Sequence, residues 1–281
     1  MRILVTGNGI LGKSLMRTVP KGIAVFNSVR LAPKRGEIKI DILNAKEVSK
    51  ALSSIRPDAI IHTAALTDLE YCEVHKAQAQ LTNAFAVKNI SRLSGGARLV
   101  YISTDSIFDG KRGWYSEKDK TNPINVYSKT KLLGERHADL AIRTNFFGFA
   151  EKRLTFPVRM LMSMKAGKCV SAAEDQITTP IYADLLSEAI YKFVLSGKEG
   201  VYHFGASKPV STFSFAKKIA RKFSLDSSLV ERASLDDIAK TLGLKAKRPK
   251  NTSLNPRKAS IIAKPPSIRR SLETFKSMLK K

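Results

Sequence analysis

Met1-Arg-Ile-Leu-Val-Thr-Gly7-Asn-Gly-Ile-Leu-Gly12 reads as a short apolar strand running into a glycine-rich turn and then a helix. In that order, glycines let the backbone approach a pyrophosphate at the positive end of the helix. Gly7, Asn8, Gly9, Ile10, Leu11 and Gly12 are therefore candidate ligands of a dinucleotide. Working outward, strand patterns recur at Arg2 to Val5, Ile23 to Phe26, Ile38 to Ile40, Ala59 to His62, Arg98 to Ser103 and Ala141 to Arg143. Helix-length amphipathic segments separate them, among them Ala77 to Leu93, which Gly95-Gly96 closes. Such alternation predicts an α/β fold: a Rossmann-like, doubly wound parallel sheet covered on both faces.

Beyond Gly148 the rhythm changes. A Met-rich helix at Val158 to Met164 precedes a short strand near Lys168 to Ser171, a helix over Ala183 to Leu195 and a strand at Gly200 to His203. A helix from Phe213 to Phe223, started by Ser211, and a final helix from Ser267 complete the chain. The expected division is a cofactor domain over residues 1–148, rejoined by 173–207, and a smaller C-terminal α/β substrate lobe from 149–172 and 208–281.

Ser103-Thr-Asp105 ends one strand, and Asn125-Val-Tyr-Ser-Lys-Thr-Lys131 follows about twenty residues later. Tyr127 and Lys131, four apart on a helix, share one face. Reduction of a ketone needs hydride at carbon and a proton at oxygen, and Tyr127 is the expected donor. Lowering a phenol from its usual pKa of about 10 to about 7 needs roughly 4 kcal/mol, with Lys131, helped by the positively charged nicotinamide of the oxidised complex, as the expected source. Thr104, with Ser103 as the alternative, would donate to the carbonyl oxygen. No carboxylate precedes Glu37, whereas Arg30 follows the second strand and suits a 2′-phosphate. NADPH is therefore expected, with NADH as the alternative. Asp41-Ile42 is placed to meet adenine, and Ala64-Ala65 offers small side chains where a cofactor lies close to the backbone.

The net charge of +25 and pI of about 10.1 would suit a nucleic-acid binder. The distribution argues otherwise. Lys and Arg are scattered, and even the densest zone, Lys245 to Lys281, is broken by Pro249, Pro256, Pro265 and Pro266 and has few aromatics for base stacking. Cys72, Cys169 and the four dispersed histidines have no metal-ligand spacing. Gly7 arrives too early for a secretory signal, and no stretch approaches the roughly 20 apolar residues of a membrane span. A cytoplasmic location is expected. Apolar faces around Ala77 to Leu93 and Asn125 to Leu140 suit either core packing or a homodimer.

Taken with Pro57-Asp-Ala-Ile-Ile-His-Thr-Ala-Ala-Leu-Thr67, Ser103-Thr-Asp-Ser-Ile-Phe-Asp-Gly110, Asn122-Pro-Ile-Asn-Val-Tyr-Ser-Lys-Thr-Lys-Leu-Leu-Gly-Glu135, Asp175-Gln176 and Arg248-Pro-Lys-Asn251, the chain resembles the dTDP-4-dehydrorhamnose reductase family of the extended short-chain dehydrogenase/reductases. The resemblance implies reduction of the 4-keto group of dTDP-6-deoxy-L-lyxo-4-hexulose by NADPH. It implies catalysis by Thr104, Tyr127 and Lys131, a sugar contact at Asp105, and a substrate side that includes Ser106, Asn145, Phe146 and, for the diphosphate, Arg248. The chain departs from the family in a glycine turn one residue shorter, in Ser106 where a tyrosine is usual, and in Phe146 where bacterial members tend to carry tryptophan. The non-catalytic β subunit of methionine adenosyltransferase, which binds NADP, is also similar. So are other nucleotide-sugar reductases and epimerases.

Overall fold

The structure, a computed structural model, describes residues 1–149 and 155–279. The expected lobe segments also include 150–154 and 280–281, which lie outside the described residues. The chain opens with β1 (Arg2–Thr6), α1 (Ile10–Arg17), β2 (Ala24–Val29), β3 (Glu37–Lys39), α2 (Ala45–Ile55) and β4 (Ala59–His62). Next come α3 (Leu69–Val74), α4 (Lys76–Gln80), a π-helical turn (Leu81–Phe85), α5 (Ala86–Leu93), β5 (Arg98–Thr104), α6 (Val126–Glu135) and β6 (Leu140–Thr144). The remainder is β7 (Phe146–Phe147), α7 (Phe156–Lys165), β8 (Val170–Ala173), β9 (Ile177–Thr178), β10 (Ile181–Tyr182), α8 (Ala183–Leu195), β11 (Gly200–His203), β12 (Val210–Ser211), α9 (Thr212–Lys222), β13 (Val230–Ala233), α10 (Leu235–Thr241) and α11 (Ile268–Met278).

Seven strands form one parallel sheet in the order β11-β6-β5-β4-β1-β2-β3. Successive strand residues point to opposite faces, so a strand buried on both sides must be apolar throughout, as Ala59–His62 is nearly so. Ile3, Val5 and Ile61 face α1 and α8, whereas Leu4, Ile60 and Leu99 face α2 and α5. The strand order reverses at β1 and β4, which opens a crevice beyond their carboxyl ends.

Two long helices expected from periodicity are shorter or interrupted. Ala77 to Leu93 is broken by the π turn, and the helix expected to run to Leu140 stops at Glu135, because Leu140 already pairs with Val100 in the sheet. After the first lobe segment the chain returns to the sheet: α8 packs on α1, and β11 pairs with β6. Val158, Met160, Leu161 and Met164 of α7 pack with Phe215, Ile219, Leu272 and Phe275 of α9 and α11, giving the lobe its own core. Ala259 and Ala263, expected in the lobe, pack instead in the core beside the sheet. Among the described residues, no helix is long and apolar enough to cross a membrane.

Candidate active site

The glycine turn is held by contacts that only glycine permits. Gly7 has φ +101°, and a Cβ there would stand 2.8 Å from the Ala64 nitrogen; at Gly12 it would stand 2.0 Å from the Gly7 oxygen. Gly9 faces open space, and as N-cap of α1 it supplies no side-chain oxygen to the first N–H groups of the helix. Such free N–H groups at the positive end of a helix suit a pyrophosphate. Gly9 and Ile10 line a cavity of about 560 Å³ that reaches Asn145, Phe146 and Arg159. Leu11 turns its side chain into the core, leaving its backbone alone for a ligand. The Thr63 hydroxyl donates to the Thr6 oxygen at 2.8 Å, and Thr6 Oγ1 lies 2.6 Å from His62 Nδ1, which ties the ends of β1 and β4 together.

On the adenosine side, Arg30 is exposed just past β2, and Ala64 and Ala65 are half-buried just past β4. Asp41 lies beyond β3, where its Oδ1 accepts from the Leu43 N–H at 2.9 Å. That oxygen closes a turn. Ile42 packs against the core under α2. A carboxylate missed by the sequence reading also reaches this region. Glu37 Oε1 accepts from Asn8 Nδ2 at 2.6 Å. The ribose carboxylate is expected after β2, whereas Glu37 arrives on β3.

Catalytic candidates converge at the carboxyl end of β5. Asn125 caps α6 by accepting from the Ser128 N–H at 2.8 Å, and its Nδ2 donates to the Lys247 oxygen at 2.9 Å. Tyr127, the second residue of α6, stands close enough to Thr104 for that hydroxyl to favour its phenolate. Ser103, the alternative, donates to Glu135 Oε2 at 2.7 Å; Glu135 also accepts from Arg143 Nε at 3.0 Å, so this hydroxyl belongs to a buried structural pair.

Burial dominates the electrostatics of the pair. Lys131 is only 3% exposed, donates to the Ile102 oxygen at 2.6 Å and stands 4.0 Å over the Tyr101 ring. Burial pushes its pKa down to about 7, opposed by Glu135. Burial likewise lifts the Tyr127 phenol well above its usual value, with the Thr104 hydrogen bond opposing. Lys131 is turned toward a carbonyl and an aromatic face. Tyr127 keeps its proton at neutral pH, the state a donor requires.

Asn83, in the π turn, was not singled out by the sequence reading, which took this stretch as plain helix. It is fully buried, accepts from the Leu66 N–H at 2.8 Å, and donates to the Leu66 oxygen at 3.0 Å and Thr130 Oγ1 at 3.1 Å. The loop after β4 is thereby joined to the helix that carries Tyr127 and Lys131. π turns are frequent at functional sites because they re-aim a helix locally.

The sugar-side candidates divide. Asp105 is 1% exposed, and its carboxylate accepts from Thr252 Oγ1 at 2.6 Å, Asn145 Nδ2 at 3.1 Å, Thr104 Oγ1 at 3.3 Å and Ser106 Oγ at 3.4 Å. Burial raises its pKa to about 6 against those bonds. Expected at the sugar, it is joined to Thr104, Asn145 and the unforeseen Thr252. Ser106 is half-buried, and its N–H donates to Thr104 Oγ1 at 3.2 Å. Asn145 and Phe146 line the cavity. Arg248, expected at a diphosphate, is off that lining: Nη1 donates to Glu70 Oε1 at 2.9 Å and to the Ala246 oxygen at 2.8 Å. Glu70 also accepts from the Lys245 N–H, so the segment is clamped to α3.

The sequence model of the RmlD substrate binding domain family matches residues 1–280. A dTDP-4-dehydrorhamnose reductase of Salmonella typhimurium is 32% identical over 276 residues, 92% of this chain and 90% of that one. The crystal structure of the Bacillus anthracis dTDP-4-dehydrorhamnose reductase in complex with NADP superimposes with a TM-score of 0.87 at 29% identity, covering 100% of this chain and 99% of the other. The methionine adenosyltransferase 2 subunit beta of Danio rerio is 27% identical over 271 residues, 90% of this chain and 82% of its own. With its Rossmann sheet and a family match along almost its whole length, the chain belongs to the dTDP-4-dehydrorhamnose reductase family of the extended short-chain dehydrogenase/reductases.

Proposed function

We propose that the chain reduces the 4-keto group of a nucleotide-linked 6-deoxyhexulose with NADPH, converting dTDP-4-dehydrorhamnose to dTDP-L-rhamnose. What supports this is the convergence of Thr104, at the end of β5, with Tyr127 and Lys131 of α6, which packs on β5, in a family member whose relatives include reductases of that substrate. A bound dihydronicotinamide supplies the hydride. The chain supplies the rest. Thr104 and Tyr127 direct their hydroxyls at the carbonyl oxygen, where negative charge develops as the carbon is reduced. Tyr127 then gives its proton to that oxygen. An alkoxide is far more basic than phenolate, so the transfer runs downhill even from a phenol raised by burial. Lys131 stands one turn away to support the phenolate when charged. Gly7 to Gly12 would hold the pyrophosphate by backbone N–H groups, and Arg30 the 2′-phosphate.

Residues 1–148 with 173–207 form the cofactor domain in this reading, and 149–172 with 208–281 the substrate lobe; Asn145 of the first and Arg159 of the second border the cavity. The test supplies dTDP-glucose with the preceding dehydratase and epimerase and follows NADPH absorbance and the sugar product. Tyr127→Phe should abolish turnover and spare cofactor affinity; unchanged turnover would refute the assigned donor. The likeness to a methionine adenosyltransferase β subunit favours a second reading, an NADP-binding regulatory subunit. It gains if the protein binds NADPH yet oxidises none with any 4-keto-deoxysugar nucleotide.

A further inference from the structure

Thr252 arrives from far along the chain, yet its hydroxyl reaches the carboxylate beside Thr104. It is 2% exposed, and Oγ1 donates to Asp105 Oδ2 at 2.6 Å. Asn145 Nδ2 donates to the same oxygen at 3.1 Å. The other oxygen is held loosely: Oδ1 accepts from Thr104 Oγ1 at 3.3 Å and from Ser106 Oγ at 3.4 Å, both longer than the roughly 2.5–3.0 Å of a good O–H···O bond. The carboxylate is thus anchored at one end and lightly engaged at the other, and the lightly engaged end faces the hydroxyl that a ketone reduction needs.

Thr104 has one proton to give. Its oxygen already accepts from the Ser106 N–H at 3.2 Å, so the O–H points either to Asp105 or to the oxygen of a bound ketone. A long bond is readily exchanged for the shorter one that a developing oxyanion offers. With its closest donor removed from Oδ2, the buried carboxylate would satisfy itself from the donors that remain, Thr104 among them. Thr252 therefore keeps the Thr104 proton available.

The same residue belongs to the cavity wall. Its N–H donates to the Ile177 oxygen at 3.0 Å, and the Ile177 N–H donates to the Lys250 oxygen at 2.6 Å. Ile177 stands between Gln176 and Thr178, which line the cavity. On the other side, the Asn251 N–H donates to the Gly110 oxygen at 3.0 Å, and a Cβ on Gly110 would stand 2.6 Å from the Lys250 nitrogen. Residues 250–252 are wedged between that wall and the loop after β5, so the wall and the Thr104 hydroxyl are positioned together.

Resting on the reductase reading, we propose that Thr252 is a positioning residue: acting through Asp105, it keeps the Thr104 hydroxyl free to donate to the ketone oxygen and ties that hydroxyl to the wall of the sugar-nucleotide cavity. Thr252→Val, of the same shape, should lower kcat about tenfold while leaving the KM for the nucleotide sugar and the Kd for NADPH within about twofold. Thr252→Ser, which keeps the hydroxyl, should recover kcat to within about threefold of wild type. A second readout needs no turnover. Burial raises the Asp105 pKa to about 6, the Thr252 hydrogen bond is the largest influence against it, and Tyr127 is the titratable side chain that feels its charge. Carboxyl-carbon NMR titration should therefore place Asp105 higher in Thr252→Val than in wild type and return it in Thr252→Ser. Thr252→Ala takes the place of the valine variant if valine prevents folding. A folded variant without the hydroxyl whose kcat stays within about twofold of wild type, a serine variant as impaired as the valine one, or an Asp105 titration that does not move would overturn the inference while leaving the reductase reading intact. A wild type without turnover on any 4-keto-deoxysugar nucleotide would overturn both.

Discussion

Replacing Lys131 by methionine should make the protein more stable while ending turnover. The side chain is buried and its pKa falls from 10.5 to about 7. That difference corresponds to about 5 kcal/mol held against folding wherever the amine is charged in both states. Methionine fills a similar volume without charge. The substitution forfeits the bond to the Ile102 oxygen and the contact with the Tyr101 ring, together about 2 kcal/mol. About 3 kcal/mol remains at pH 6, or about 6 °C in melting temperature for a chain of this size. The sign with pH follows from linkage. Between about 7 and 10.5 the unfolded chain binds more protons at this lysine than the folded one, so wild-type stability rises with pH. Below 7 the penalty is present in full, and above 10.5 it has vanished. The gap between variant and wild type should therefore be widest at pH 6 and close progressively as pH rises above 7. Calorimetric melts of both proteins from pH 6 to 9, with NADPH turnover measured in parallel, provide the assay. A variant that melts below wild type at pH 6, or a gap that does not change with pH, would refute the reasoning.

Asn83→Asp keeps the acceptor for the Leu66 N–H but loses both donors, so it should cost about 2 to 3 kcal/mol in urea unfolding and lower kcat more than it raises the KM for NADPH. Arg159→Gln should raise the KM for the nucleotide sugar at least about tenfold, because this cation borders the cavity, while Arg248→Gln, whose partner is Glu70, should raise it less and lower the melting temperature; the reverse order in steady-state kinetics would return the diphosphate to Arg248. Leu81, Phe85 and Leu133 are exposed on the π turn and α6, a face suited to a homodimer. Phe85→Glu should convert a dimer to a monomer in light scattering, and a monomeric wild type would refute the expectation.

What could be read in advance was whatever a local period determines. Met1 to Gly12 declares strand, turn and helix because apolar spacing and glycine placement are properties of neighbouring residues, and Ser211 and Ser267 announce their helices by capping them. The same logic put Tyr127 and Lys131 on one helical face. It could not say where Lys131 would point, because the Ile102 carbonyl and the Tyr101 ring belong to a strand some thirty residues earlier. Nor could it detect the π turn, since one slipped hydrogen bond leaves the apolar spacing of Ala77 to Leu93 almost untouched. Each revised site residue has the same cause. Asp105 meets Thr252 from 147 positions away, Arg248 meets Glu70 from 178 positions away, and Glu37 meets Asn8 across β2. Polar side chains commit to whichever partner the sheet order brings within about 3 Å, and that order is a property of the whole fold. A motif therefore identifies which residues gather at the site, while the packing decides which of them face the ligand and which hold the others in place.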